Sequence, residues 1–226
     1  MRCKFDRNSP FKGGVSGRID EDATMDSVAF AFCDAVASTL EEIPPLDDAN
    51  SAEWSPWKSA FADHSANRME LWLTVDFQNG NWFYNLLKAQ NDRNIYLPID
   101  LEEVQNAQRK YVHLRNLTFG YGNRTASSLS EVRSILKFLR PFVGPSAWLA
   151  LYGIKAPREA IAELLSLFSS APFCEIHLFK YEEAFEDFLR KQIALDSLQK
   201  FGVYSKSPPA LELQAEFKRI QSESRG

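Results

Sequence analysis

The stretch Cys174-Glu-Ile-His-Leu-Phe-Lys-Tyr181 is a short apolar run, and just behind it Phe185, Phe188 and Leu189 recur at helical spacing. A strand-length run followed by an amphipathic stripe is one strand–helix unit. The same pairing recurs on both sides of it. Further strand-like runs lie at 111–119, 147–152 and 198–204. Helical stripes follow at Leu129, Val132, Leu136 and Leu139, at Ile161, Leu164, Leu165 and Phe168, and at Leu213, Phe217 and Ile220. Strand–helix units in series predict right-handed crossovers and a mainly parallel sheet, so the fold class is α/β.

N-terminal to these units the period changes. Leu71, Leu73, Val75 and Phe77 alternate with Trp72, Thr74 and Asp76, and Trp82-Phe83-Tyr84 follows the pair Asn79-Gly80. An Asn-Gly pair between β-prone runs predicts a two-residue hairpin, because both turn positions need positive φ. The serial units resemble a degenerate leucine-rich-repeat array, although their length drifts along the chain. The expected architecture is an N-terminal helical segment, a β-hairpin, and then stacked strand–helix units. A compact three-layer sandwich is the alternative.

Composition narrows the function classes. The 226 residues are 45% hydrophobic, enough for a sizeable core, and seventeen Phe and five Trp make the chain aromatic-rich. A formal charge of −4 gives no basic stripe for phosphate backbones, so nucleic acid is not an expected partner. Cys3, Cys33 and Cys174 are too few and too scattered for a disulfide framework or a zinc site, which fits a reducing compartment. No run has the length of a membrane span and no apolar signal core opens the chain. The expected localisation is therefore intracellular, in cytoplasm or nucleus, with no membrane partner.

Residues 1–24 are polar and broken by Gly13, Gly14 and Gly17, and read as a disordered leader. Asp26 to Glu42 then predicts a helix, stopped by Pro44-Pro45. On a helical wheel Ser27, Asp34, Ser38 and Glu41 form a narrow polar stripe. Val28, Phe32, Val36 and Leu40 cover the rest, and Phe30 lands beside Asp34. Phe30 is either an exposed docking aromatic or packs inward from an irregular first turn. A second short helix is expected from Trp54 to about Phe61, and Glu53-Trp-Ser-Pro-Trp57 sets two large aromatics beside a loop. Such pairs anchor interfaces or pin small helices to a core.

Met25-Asp-Ser-Val-Ala-Phe-Ala-Phe-Cys-Asp34 resembles the opening of a large nematode-expanded family of F-box-like proteins. Ala29 stands where an ordinary F-box has the Pro of its Leu-Pro start, and Trp54 and Trp57 stand where F-box domains tend to carry a late Trp. Phe142-Val143 and Glu186-Asp187-Phe188-Leu189 resemble the repeat-like regions that accompany such openings. The resemblance spans most of residues 25–205. It implies a substrate-recognition or scaffolding adaptor that binds a linker subunit of a cullin-type ubiquitin ligase, or a structural domain whose motif is inactive.

No catalytic site, cofactor site or metal site is expected. His64, His113 and His177 have no nucleophile elbow or zinc pair around them. Gly120-Tyr-Gly122-Asn-Arg124-Thr125 follows a strand, where a phosphate loop would lie, and supports an alternative reading as an α/β enzyme binding a phosphate-containing ligand. Glu182, Glu183, Glu186 and Asp187 fall in the first turns of a helix, where the dipole favours them. The reading is thus a leader (1–24), an F-box-like helical segment (25–62) and a hairpin plus α/β repeat-like domain (63–226). Phe30, Trp54 and Trp57 are its candidate partner-binding residues.

Overall fold

Hydrophobic alternation in the strands and three-to-four spacing in the helices converge on one large core. A computed structural model describes residues 25–40, 55–90, 95–122 and 125–223. The expected leader and Trp54 lie outside the described residues. Two helices come first, α1 (Met25–Ala37) and α2 (Ser55–Asn67). The hairpin follows as β1 (Met69–Gln78) and β2 (Asn81–Gln90), with Asn79 at φ 51° and Gly80 at φ 83° in its turn. Then come β3 (Ile95–Pro98), α3 (Leu101–Asn106), β4 (Val112–Phe119), β5 (Thr125–Ser127), α4 (Leu129–Leu139) and β6 (Val143–Leu151). The chain continues with α5 (Arg158–Ser166), β7 (Glu175–Leu178), α6 (Glu186–Ile193), β8 (Lys200–Val203) and α7 (Pro208–Glu223).

All eight strands join one mixed sheet in the order β3-β2-β1-β4-β6-β7-β8, with β5 also paired to β2. Strands β1, β4, β6, β7 and β8 are parallel and follow chain order, while β2 runs antiparallel to β1, β3 and β5. One face of the sheet is apolar throughout: Leu71, Leu73, Val75, Leu117, Phe119, Leu149, Leu151, Ile176 and Leu178 are wholly buried. Helices α3 to α7 bring Val104, Leu136, Leu164, Leu189 and Leu213 into the same core. Among the described residues the sheet therefore carries one helix layer, on that face.

Local chemistry explains the helix limits. Ser128 Oγ accepts from the Glu131 amide at 3.1 Å and caps α4, whose Val132, Ile135, Leu136 and Leu139 bury one stripe. Between α5 and α6, wholly buried Gln192 donates from Nε2 to the carbonyls of Phe168 and Ser169 at 3.1 and 3.2 Å, satisfying the frayed end of α5.

The helical pair keeps a small core of its own. Cys33, Ala37, Ala60 and Phe61 are buried together, with Phe30, Leu40 and Trp57 packed around them. Helix α2 runs past the expected boundary at 62/63 to Asn67 and passes into β1 after a single residue.

Candidate functional site

In a β-strand, successive side chains face opposite sides, so every second residue of the parallel strands points away from the helices. That second face is aromatic. Trp72 on β1 meets Tyr96 on β3 at 4.1 Å between ring centroids and Trp148 on β6 at 5.4 Å. Trp148 meets His177 on β7 at 5.8 Å, and His177 stacks on Tyr204, just beyond β8, at 5.9 Å. A second row runs along the C-terminal ends of the strands. Tyr121 and Tyr152 lie 5.5 Å apart, and Tyr152 and Phe179 stack at 4.1 Å with their planes 4° apart. Phe179 and Tyr204 stack at 4.6 Å, so both rows converge on Tyr204.

Small residues floor the space between the rows. Thr118 and Ala150 are buried, although no helix among those described packs on this face. Gly202 continues the floor: a side chain there would come within 3.1 Å of His177 Nδ1. Asn116, 1% exposed, holds its carboxamide oxygen 2.9 Å from the Thr118 hydroxyl that donates to it. Its amide nitrogen has no hydrogen-bond partner among the described residues. His177 is fixed by Glu175 at 2.7 Å, and Lys200 pairs with the same carboxylate. The surface is therefore rigid, aromatic and polar-tipped. Rings of this kind cover large apolar area while Tyr, Trp and His keep hydrogen-bonding ends.

The helical pair meets the N-terminal edge of the sheet through a polar cluster. Asp34 on α1 accepts from Lys110 Nζ at 2.9 Å and lies 3.0 Å from Nε2 of wholly buried His64 on α2. Tyr111 donates to Asp63, and its ring meets that of His64 edge-on at 4.9 Å. Hydrogen bonding from Lys110, with help from His64, holds the Asp34 carboxyl below its ordinary range, and Lys110 is raised in return. Arg68 completes the clamp by donating to the Leu40 carbonyl at 2.8 Å.

This cluster explains where the expected docking residues fall. The stripe containing Asp34 faces the α/β domain, so Phe30 beside it is half-buried against the small core of the pair. Phe32 is the aromatic that points outward. It is 62% exposed, and its ring stands edge-on to Trp57 at 6.0 Å. Trp57 in turn leans on Phe61 at 5.4 Å. Trp54, the third expected partner-binding residue, lies outside the described residues. The loop after β4 enters β5 before α4 begins, and the α4 N-terminus is occupied by Ser128, while residues 123–124 lie outside the described residues.

The open aromatic face was not among the expected sites. Its signal was in the sequence: Trp72, Trp148 and His177 each sit between apolar neighbours at the outward position of a strand. An outward row usually carries charged or hydroxylic side chains, so aromatics there mark a surface that is used.

His113, on β4 near the polar cluster, yields a pH prediction. Burial, reinforced by the guanidiniums of Arg68 and Arg115, pushes its pKa from 6.5 down to about 4. Between those values the unfolded chain takes up a proton that the folded chain refuses, so stability falls as pH drops through that window. The expected loss is about 2 kcal/mol, allowing for partial exposure. Urea unfolding across the range measures it, and His113→Gln should flatten the slope. An unchanged slope in the variant would place the titration elsewhere.

Among the described residues no helix is long and apolar enough to cross a membrane, and no three His, Cys, Asp or Glu side chains group to hold a metal ion. No protein-family model, curated protein or solved structure matches the chain.

Proposed function

We propose that this chain is a non-catalytic protein-interaction adaptor that holds a polypeptide on the open aromatic face of its sheet. The observation that carries this reading is the double row of rings from Tyr96 to Tyr204 on a face that no described helix covers. Clustered, pre-packed aromatics are what interface hot spots are made of, since their ordering cost is met before binding. A single strand of nucleic acid would need cations beside such rings, and here Glu70, Asp76 and Glu175 share the face with Arg and Lys. A polypeptide offers apolar side chains for the rings and backbone groups for Asn116 and the ring tips.

The chain-order parallel strands β4, β6, β7 and β8, each leading to a helix on the same side, favour reading the α/β part as a degenerate leucine-rich-repeat-like array. In this reading α1 and α2 form the F-box-like segment and dock a ubiquitin-ligase linker subunit through Phe32 and Trp57, with Phe30 supporting them from within. The two surfaces then do different work, one selecting the substrate and the other joining the ligase.

Separate loss tests the proposal. Trp148→Ala in full-length protein should lose the substrate polypeptide in affinity capture from its own cells, with at least a tenfold drop, and retain ligase subunits. Phe32→Ala should do the reverse. If neither variant changes what the wild type captures, both surfaces are wrongly assigned.

A further inference from the structure

A cleft of about 300 Å³ lies between the C-terminal turn of α1 and the N-terminal ends of β4 and β6. None of the rings of the aromatic face and neither Phe32 nor Trp57 lines it, although Arg115, paired with Glu70 at the edge of that face, does. Arg68, Arg109, Lys110, His113 and Arg115 line it, and no Asp or Glu does. The nearby carboxylates stand behind these cations. Glu70 is shared by Arg68 Nε at 3.1 Å and Arg115 Nε at 3.4 Å. Asp34 holds Lys110 at 2.9 Å, with Asp63 at 3.8 Å. Four permanent cations against three carboxylates leave the cleft positive. Arg109 has no acidic partner among the described residues.

Two buried nitrogens lack partners here, a guanidinium donor and an imidazole nitrogen that donates in its Nε2–H tautomer. Arg115 spends its Nε on Glu70, and its Nη1 is buried without a partner among the described residues. His113 Nε2 is in the same position. A buried nitrogen with nothing to bond is costly, and a guanidinium edge prefers an oxyanion that can accept more than one hydrogen bond. Opposite the cations, Pro141, Phe142 and Pro145 give the cleft an apolar wall.

We infer that this cleft binds a phosphate group, with Arg115, Arg109 and His113 donating to its oxygens and the apolar wall taking the part of the ligand that bears it. Phosphate suits the site better than a single carboxylate because it presents more oxygens, and carries more charge, to a lining with several cationic donors. Its volume is at the small end of ligand pockets, which fits a phosphate monoester or one phosphorylated side chain. This inference stands independently of the adaptor reading.

The test is titration of the full chain with inorganic phosphate and separately with phosphoserine, at ionic strength held constant with chloride. Isothermal calorimetry gives affinity, and the ring signals of His113 report the site by NMR. Saturable binding that shifts His113 is expected, weakened at least tenfold by Arg109→Ala and by Arg115→Gln. Arg109 is exposed, so its variant keeps the fold. Arg133→Ala, on α4 and outside the cleft, should bind as the wild type does. Tighter binding of phosphoserine would assign the site to a phosphorylated side chain, and equal binding to the phosphate group alone. Non-saturable binding, or affinity unchanged in both cleft variants, overturns the inference.

Discussion

Gly120→Ala is expected to lower the unfolding free energy by about 3 kcal/mol. Gly120 follows β4 with φ +94°, and an added Cβ would lie 2.4 Å from the carbonyl oxygen of Gly153. The obstacle is backbone, so no rotamer change relieves it. Neither turn is free to retreat. The Gly120 amide donates to Val75 at 2.8 Å, and the Tyr152 amide donates to Phe119 at 2.8 Å. Gly80→Ala separates the two contributions, since Gly80 has φ +83° but open space around it. It should cost only about 1 kcal/mol from the left-handed backbone alone. Gly144→Ala, with neither constraint, should stay within about 0.5 kcal/mol of wild type. Urea unfolding of the three variants decides the matter. If Gly120→Ala is no worse than Gly80→Ala, the close contact between the two turns is absent. The consequence extends to function, because Gly120 immediately precedes Tyr121 and Gly153 immediately follows Tyr152 in the second aromatic row.

Asp34→Ala should destabilise the chain by about 2 kcal/mol, and the loss should be local. Asp34 is the acceptor shared by Lys110 and wholly buried His64, with its own side chain 21% exposed. Removing it leaves the buried His64 Nε2 without its hydrogen-bond partner and Lys110 with only Asp63 at 3.8 Å, where the helical pair joins the sheet. Hydrogen exchange should accelerate in α1 and α2 and stay unchanged in β1, β4 and β6. Uniform acceleration would mean that the pair is not a separate cooperative unit. The pH dependence has its own signature. Because the folded carboxyl is held below its usual value, its contribution is present above about pH 4 and disappears as pH falls through the folded pKa. That window lies below the one set by His113, so the two groups can be told apart.

Much of this fold was legible in the sequence, for reasons that differ element by element. Asn79-Gly80 specified the hairpin because few other pairs tolerate two positive φ angles. The strand–helix alternation from residue 111 onward was legible because both periods are written in apolar residues. β3 and β5 were not legible. They are short edge strands whose pairing with β2 rests on backbone hydrogen bonds, and Ile95, Leu97 and Pro98 are exposed. The wheel of α1 set Phe30 beside Asp34 correctly, but a wheel does not say which side meets the rest of the protein. That depended on Lys110 and His64, far away in sequence, and it turned Phe30 inward and Phe32 outward. The aromatic face was half-legible: each outward ring shows in its own strand, while their contact depends on strand order.

The aromatic face is tested most directly by replacing Trp148 with a photoreactive phenylalanine analogue and irradiating the protein in its own cells. A discrete crosslink to one or a few polypeptides is expected, absent when the same analogue replaces exposed Leu211 on the helix layer. Equal crosslinking at both positions, or none at Trp148, would contradict the assignment of the aromatic face as a polypeptide-binding surface.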